Sequence, residues 1–346
     1  MSGNRYIKFE KRNLRVFGAA ILIIAALFFV FKIMLILEDM HNTVEVDPAE
    51  FDQRDTQYEE DERDMIYLGG EWYVRRNDIR TFLLIGIDKD EEFAEKETSG
   101  RNNQQADFLF LLLFNESTKT VDAIHINRDT MAEIKTVNDF GQWTGIATAQ
   151  AALAHTYGVP GTESCMNTVD CVSGILYDTP IEHYLSFTMD TVPVINDYYG
   201  GVTVHLDEDF TFIDPLMTAG SDYHLMGDNS IKYLRARMQV GDGSNLSRME
   251  RHRQYIAALL EKMNGAENSG KDPLDLFSKI SDTIVTDCTV NQLSDFRNMM
   301  SEYKIGKIMT IEGEAVLGDK FIEFYPDEEA LQKLIIDTFY EKENKN

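Results

Sequence analysis

Between residues 81 and 126 the chain carries three apolar runs with almost no polar interruption. Residues 81–87 (Thr-Phe-Leu-Leu-Ile-Gly-Ile) end at Asp88, residues 108–114 follow Asp107, and residues 121–126 end at Asn127-Arg128-Asp129-Thr130. Strands covered on both faces read this way, because neither side needs polar residues. A short edge strand is expected before them, at residues 67–74. The pattern then alternates. Residues 144–157, rich in alanine, read as a helix with Gly158 as its C-cap, and a second helix runs from Thr162 to about Leu176. A strand at 183–188, a short helix at 189–199 stopped by Gly200-Gly201 and a strand at 202–206 follow. Residues 228–235 read as a helix with Asp228 as N-cap, and 246–263 as a helix with Ile256, Leu259, Leu260 and Met263 on one face. In that helix Arg248, His252 and Tyr255 share a face, at spacings of four and three. Helices near 272–283 and 290–302, a strand pair within 305–324 and a helix at 327–341 complete the chain. Strands alternating with helices predict an α/β fold, a three-layer α/β/α arrangement around a central mixed β-sheet, within one domain spanning residues 67–346.

The N-terminus adds a different element. Residues 1–15 hold Arg5, Lys8, Lys11, Arg12 and Arg15 against Glu10, and residues 16–37 are apolar except for Lys32. As a helix the 22 residues of that run span about 33 Å, enough for a hydrocarbon core of about 30 Å. The run is too long for a signal-peptide core, and no small-residue cleavage site follows. One retained transmembrane helix is therefore expected. Its basic flank, residues 1–15, predicts a cytoplasmic tail, with the remainder outside the cell membrane. Residues 38–66 read as an acidic spacer, with twelve acidic residues against Arg54 and Arg63 between 38 and 64.

The net charge of the chain is -26, which argues against a nucleic-acid partner. Against that background Arg235, Arg237, Arg248, Arg251 and Arg253 crowd into nineteen positions. A guanidinium fork suits a phosphate held by parallel hydrogen bonds, whereas lysine would serve a merely solvated face. Strand-end Asp88 and Asp107 are candidate ligands for a hard cation such as Mg2+, which takes one or two carboxylates plus substrate phosphates. Turn formation explains strand-end aspartates equally well. Cys165, Cys171 and Cys288 fit no disulfide framework and no zinc spacing, although Cys165 and Cys171 could pair in an oxidising compartment.

The succession Phe82-Leu-Leu-Ile-Gly-Ile-Asp88, Ala106-Asp107, His125-Ile-Asn-Arg128-Asp129-Thr130, Ala154-His155-Thr-Tyr157-Gly158, Tyr233-Leu-Arg235-Ala-Arg237, Gly241-Asp242 and Arg248-Met-Glu-Arg251 resembles the LytR-CpsA-Psr family of membrane-anchored cell-wall enzymes. The resemblance covers roughly residues 80–265 and agrees with the single N-terminal span. It implies a phosphotransferase that uses Mg2+ to move a glycopolymer from an undecaprenyl pyrophosphate carrier to peptidoglycan. It further implies metal binding by Asp88 and Asp107, and a pyrophosphate grip by the catalytic arginines Arg128, Arg235, Arg237 and Arg248. Asp129, Gln105, Arg251 and His252 join these as substrate-binding positions. A hydrophobic pocket for the polyprenyl tail is implied between sheet and helices. The chain departs from the family pattern at Asp90 and Gln105, where arginines are usual, at Phe108, where threonine is, and at His252, where glutamine is. Two other activities would use the same residues: a non-catalytic scaffold binding polyprenyl phosphate or wall polymer, and a lipid pyrophosphatase with water as acceptor.

Overall fold

The computed structural model describes residues 65–343, apart from 89–101, 103, 139, 265–267, 269–270 and 272. The expected tail 1–15, the span 16–37, nearly all of the spacer 38–66 and Asp90 lie outside the described residues. Among the described residues no helix is long and apolar enough to cross a membrane.

A hairpin comes first, β1 (Met65–Leu68) and β2 (Glu71–Arg75), where a single edge strand was expected. Its turn is Gly69-Gly70, both at positive φ, a conformation glycine adopts without a Cβ clash. Then β3 (Ile79–Asp88), β4 (Gln105–Asn115) and β5 (Thr120–Ile126) form an antiparallel meander from the three apolar runs. A second hairpin follows, β6 (Met131–Val137) and β7 (Trp143–Gln150). After a 3-10 turn at Ala151–Thr156 come α1 (Thr162–Ile175), β8 (His183–Thr188), α2 (Thr191–Tyr198), the ribbon of β9 (Val202–His205) and β10 (Asp222–Leu225), and α3 (Asp228–Arg235). The chain continues through α4 (Asn245–Asn264), α5 (Pro273–Ile280), β11 (Ile284–Thr286), α6 (Val290–Glu302), β12 (Lys304–Thr310), β13 (Gly313–Leu317), β14 (Ile322–Pro326), α7 (Glu328–Phe339) and β15 (Tyr340–Lys342).

The central sheet has six strands in the order β11-β8-β3-β4-β5-β12. It is mixed, since β8 joins β3 and β12 joins β5 in parallel while the other pairs are antiparallel. Side chains alternate across it. Leu83, Ile85, Leu109, Leu111, Leu113 and Ile124 pack on one face with Val169 and Val172 of α1 and Leu331 and Ile335 of α7. Phe82, Phe114 and Val121 meet Phe296 of α6 on the other, and Phe108, Phe110 and Ala123 meet Ile256 of α4. Helices therefore cover both faces, as expected for a sheet of such apolar strands. Burying each Leu or Phe is worth about 1.5–3 kcal/mol. A separate apolar cluster under α3 and α4 holds Val202, Val204, Phe210, Tyr233 and Leu234.

Three expectations are corrected, and the open question of the cysteines is closed. Residues 144–157 are not one helix: β7 pairs with β6, and only the 3-10 turn at Ala151–Thr156 is helical. Thr144, Ile146 and Thr148 prefer extended backbone, and that preference prevails over the alanines. Asp228 is the first helical residue of α3 and Gly227, at φ 52°, is its cap. The expected strand pair within 305–324 divides, because β12 enters the central sheet while β13 and β14 form their own hairpin. Cys165 and Cys171 do not pair; both are free and buried on α1, and burial pushes their thiols up to about 11 and about 12.

One irregularity positions the candidate site. The β3–β4 register shifts at Gly86, which faces Phe108, while the next residue, Ile87, faces Ala106, so Asp107 is the extra residue of a bulge. The bulge reverses the alternation. Phe108 keeps the face of Phe110, while Ala106 is moved onto the face of Leu109. Gly86 permits this close approach, since a Cβ there would lie 2.8 Å from Phe108 Cβ and 3.3 Å from the Phe187 ring. Gly86→Ala is expected to destabilise the fold by about 1–3 kcal/mol, the usual cost of overpacking. An unchanged denaturation midpoint would contradict this account of the bulge.

Candidate functional site

Because β3 and β5 are both antiparallel to β4, their carboxyl ends reach the same edge of the sheet as the start of β4. That edge brings together Asp88, Gln105, Asp107 and the turn 127–130. Asp88 and Gln105 are register partners, and Gln105 is exposed. In the turn, Asn127 Oδ1 accepts from the backbone N–H of Asp129 at 3.0 Å, and Thr130 Oγ1 donates to Asn127 O at 2.6 Å. Asn245, the first residue of α4, donates through Nδ2 to Asn127 Oδ1 at 2.6 Å. This bond fixes the start of α4 over the end of β5.

Four arginines arrive from different elements: Arg128 from the turn, Arg235 from the end of α3, Arg237 from the loop beyond it and Arg248 from the first turns of α4. Arg128 Nη1 donates to Asp107 Oδ1, and Arg248 Nη1 to Asp107 Oδ2 at 3.3 Å. Arg248 Nη2 donates to Asn245 Oδ1 at 2.7 Å, and Arg235 Nη2 to Asp88 Oδ1 at 2.5 Å. Arg237 Nε donates to the Gly243 carbonyl at 3.1 Å. Burial lowers the Arg248 pKa to about 10, with Arg128 and Arg237 adding repulsion that Asp107 and Asp129 offset in part. The buried Nε atoms of Arg128 and Arg248 have no hydrogen-bond acceptor. The first turn of α4 contains no acidic residue, so its N-terminal dipole adds to the positive field. An anion entering here would relieve repulsion among cations already held in place.

The remaining predicted positions separate. Asp129 is buried, accepts from Gln150 Nε2 at 3.0 Å and lies 3.5 Å from Arg128 Nε. Burial raises its pKa, and its Oδ2 has no donor. Arg251 turns away from the four arginines, donating to Ala236 O and to Ser247 Oγ at 3.2 Å, with its guanidinium over the Phe210 ring. It is placed to hold the loop between α3 and α4, not to meet a ligand beside Asp107. His252 is buried, with Nε2 bonded to the Leu234 carbonyl at 3.1 Å. Asp88 and Asp107 are carboxylates, the donor type that a hard cation accepts, but both oxygens of Asp107 and one of Asp88 already accept from arginines.

A carbon-lined cavity of about 320 Å³ lies between the sheet and helices α2, α4, α5 and α6. Its lining includes Leu84, Phe187, Ile256, Leu260 and Met263, and also Phe108 and His252. Phe108 follows Asp107 directly and His252 lies one turn after Arg248, so the cavity adjoins the charged cluster. Their rings belong to an aromatic group with Phe110 and His125. Phe108 stacks on Phe110 at 5.4 Å, and His125 lies over His252 at 6.0 Å.

The profile of the LytR_cpsA_psr family matches residues 35–336. The chain belongs to the LytR_cpsA_psr family. It is 27% identical over 67% of its length, and 66% of the relative's, to the polyisoprenyl-teichoic acid–peptidoglycan teichoic acid transferase TagU of Bacillus subtilis. For TagU of Bacillus licheniformis the identity is 26%, over 70% of this chain and 69% of the relative. The match thus spans about two thirds of the relatives' own length. Among solved structures, B. subtilis TagV superposes with a TM-score of 0.57 at 23% identity, covering 76% of this chain and 96% of TagV. A structure of TagT bound to LIIa-WTA gives a TM-score of 0.57 at 19% identity, over 76% and 90% of the two chains. These likenesses show that the family fold is shared.

Family residues do not exhaust the site. Asn127, Asn245, His125 and Gln150 also belong to it, although the sequence assigns none of them a role. A polar residue opening a helix, as Asn245 does, signals a cap, but nothing local indicates that it bonds another asparagine across the sheet edge. The Ala154-His155 segment braces the entry to β4 instead. His155 Nδ1 is 2.9 Å from Gln104 O, and Asn102 Nδ2 donates to His155 O at 3.0 Å.

The two stacked histidines must stay neutral. Burial holds His125 well below the usual imidazole value and lowers His252 to about 3. Depressed imidazole values mean that the unfolded chain binds more protons in acid. The stability from neutral His252 is complete above the unfolded value of about 6.5, and is lost progressively as pH falls towards the folded value. The loss is up to about 1.4 kcal/mol per pH unit for each ring. Between about pH 7 and about pH 5, His252→Phe is expected to lose stability less steeply than the unaltered protein in denaturant titrations. Parallel slopes would contradict neutral burial of this ring.

Proposed function

We propose that the chain is a membrane-anchored phosphotransferase that moves a glycopolymer from an undecaprenyl pyrophosphate carrier to peptidoglycan. The observation that supports this best is the adjacency of the four-arginine cluster to the carbon-lined cavity. A ligand suited to both has a multiply charged anionic head and a long apolar tail. The names of the TagU relatives, teichoic acid transferases acting between a polyisoprenyl carrier and peptidoglycan, agree with that chemistry. In this reading residues 16–37 anchor the chain, residues 1–15 remain in the cytoplasm and the domain works outside the membrane.

Arg128, Arg235, Arg237 and Arg248 would bind the diphosphate. Their charge stabilises the transferring phosphoryl group more in the transition state than in the ground state. Arg128 and Arg248 now share Asp107 and would exchange part of that bonding for phosphate oxygens. The oxygen of a peptidoglycan sugar hydroxyl bonds the phosphorus bearing the polymer, the phosphoanhydride bond breaks, the lipid monophosphate departs and the hydroxyl proton is released. Asp88 and Asp107 would hold Mg2+, which when bound supplies further neutralisation of the diphosphate. The cavity would take the first part of the lipid tail and orient the head toward the arginines.

Binding of a polyprenyl pyrophosphate to the purified full-length protein in detergent tests this reading. Arg248→Ala is expected to weaken binding by about 2–5 kcal/mol, the cost of removing one partner from a buried charged set. Arg235→Ala, at the more exposed edge of the cluster, is expected to cost less. Unchanged binding in Arg248→Ala and in an Arg235→Ala/Arg237→Ala double variant would remove the basis for the proposal. Supplying the same protein with a lipid-linked polymer and peptidoglycan oligosaccharides should then yield a covalent adduct. Binding without adduct would indicate a scaffold, and free polymer would indicate hydrolysis.

A further inference from the structure

The turn that carries Arg128 is clasped from two sides. On the side of the cavity, Asn245 of α4 bonds Asn127. On the other side the hairpin of β13 and β14 closes against it. The Phe324 N–H donates to the Asp129 carbonyl at 2.9 Å, and Thr130 and Phe324 form a parallel bridge. Gln150 Nε2 donates both to Ile322 O at 2.7 Å and to Asp129 Oδ1 at 3.0 Å. Phe324 is buried with Leu331 of α7, on the sheet face opposite Phe108 and Ile256. The hairpin tip, closed by a bond from the Gly318 N–H to the Phe321 carbonyl at 2.9 Å, therefore stands beside the arginines on the side away from the cavity. By the alternation of β14, Phe321, Glu323 and Tyr325 lie on the face turned away from buried Phe324. Both rings are open to solvent, 63% for Phe321 and 47% for Tyr325. Tyr325 Oη donates to Glu323 Oε2 at 2.7 Å, and Glu323 lies across Gly318, where a Cβ would come within 2.3 Å of its Oε1. The strip thus sets a fixed carboxylate between two rings about 13 Å apart, the length of four extended residues.

In an in-line displacement at phosphorus the attacking and leaving oxygens lie on opposite sides. With the lipid tail in the cavity, the leaving phosphate is on the α4 side, and the attacking hydroxyl arrives from the side of the β13–β14 hairpin. We propose that the outer face of this hairpin, through Phe321, Glu323 and Tyr325, is the acceptor subsite and takes the glycan strand of peptidoglycan. A pyranose ring has a C–H face that packs on an aromatic ring and a rim of hydroxyls that donate to a carboxylate, the two chemistries this strip offers. The inference rests on the phosphotransfer reading for the identity of the acceptor, and adds where the acceptor lies. Because Gln150 bonds both the hairpin and Asp129, a glycan seated here keeps a fixed position relative to Arg128.

Calorimetric titration of the purified full-length protein in detergent with a soluble tetrasaccharide of alternating N-acetylglucosamine and N-acetylmuramic acid tests the subsite without requiring turnover. Phe321→Ala and Tyr325→Ala, both at exposed rings, are each expected to weaken binding by about tenfold. Polyprenyl pyrophosphate affinity and the circular dichroism spectrum should stay unchanged in both. Phe321→Trp, which keeps a ring, should retain the affinity. In transfer assays the alanine variants should raise the KM for the acceptor and leave kcat unaltered. Absence of tetrasaccharide binding by the unaltered protein would overturn the proposal even where the lipid diphosphate binds, as would unchanged affinity in a Phe321→Ala/Tyr325→Ala double variant. Tetrasaccharide binding that depends on Phe321, in a protein without affinity for the lipid diphosphate, would sustain the subsite and remove the phosphotransfer reading instead.

Discussion

Asp107 is shared between Arg128 and Arg248, and the surrounding site depends on that arrangement. Two guanidinium groups converge on one carboxylate at a sheet edge, one of them largely out of water. A single unpaired arginine at such depth costs several kcal/mol. The β4 bulge sets Asp107, the counter-charge for the arginines, directly before Phe108, which lines the cavity. Charge and apolar surface meet where the extra residue, Asp107, interrupts the strand just before Phe108.

The contrast between the two ends of the central sheet follows from strand direction. Carboxyl ends of β3 and β5 gather the arginines and aspartates, with α4 pinned above them by the Asn127–Asn245 bond. The opposite end gathers His183, Asp287 and Cys288 around an edge strand. One end is built from hard oxygen donors and forked cations, suited to phosphate.

Much of this was legible in the residues. The buried strands announced themselves by continuous apolar runs, and both the arginines and the strand-end aspartates stood out against an acidic chain. What escaped was set by tertiary contacts. The alanine-rich stretch before Gly158 became a strand because β6 offered it a partner. Arg251 looked equivalent to Arg248, but three residues further along α4 its side chain meets Phe210 and the Ala236 carbonyl instead of Asp107. His252 appeared as a donor to phosphate, whereas the structure buries it neutral among rings. No local signal distinguishes these outcomes.

The central claim is that one amphipathic ligand occupies both the arginine cluster and the adjoining cavity. A crystal structure of the protein with a bound polyprenyl pyrophosphate tests it most directly. The account predicts diphosphate oxygens against Arg128, Arg235, Arg237 and Arg248, and isoprene units between Phe108, Ile256 and Met263. A diphosphate bound elsewhere, or a tail lying outside the cavity, would contradict it.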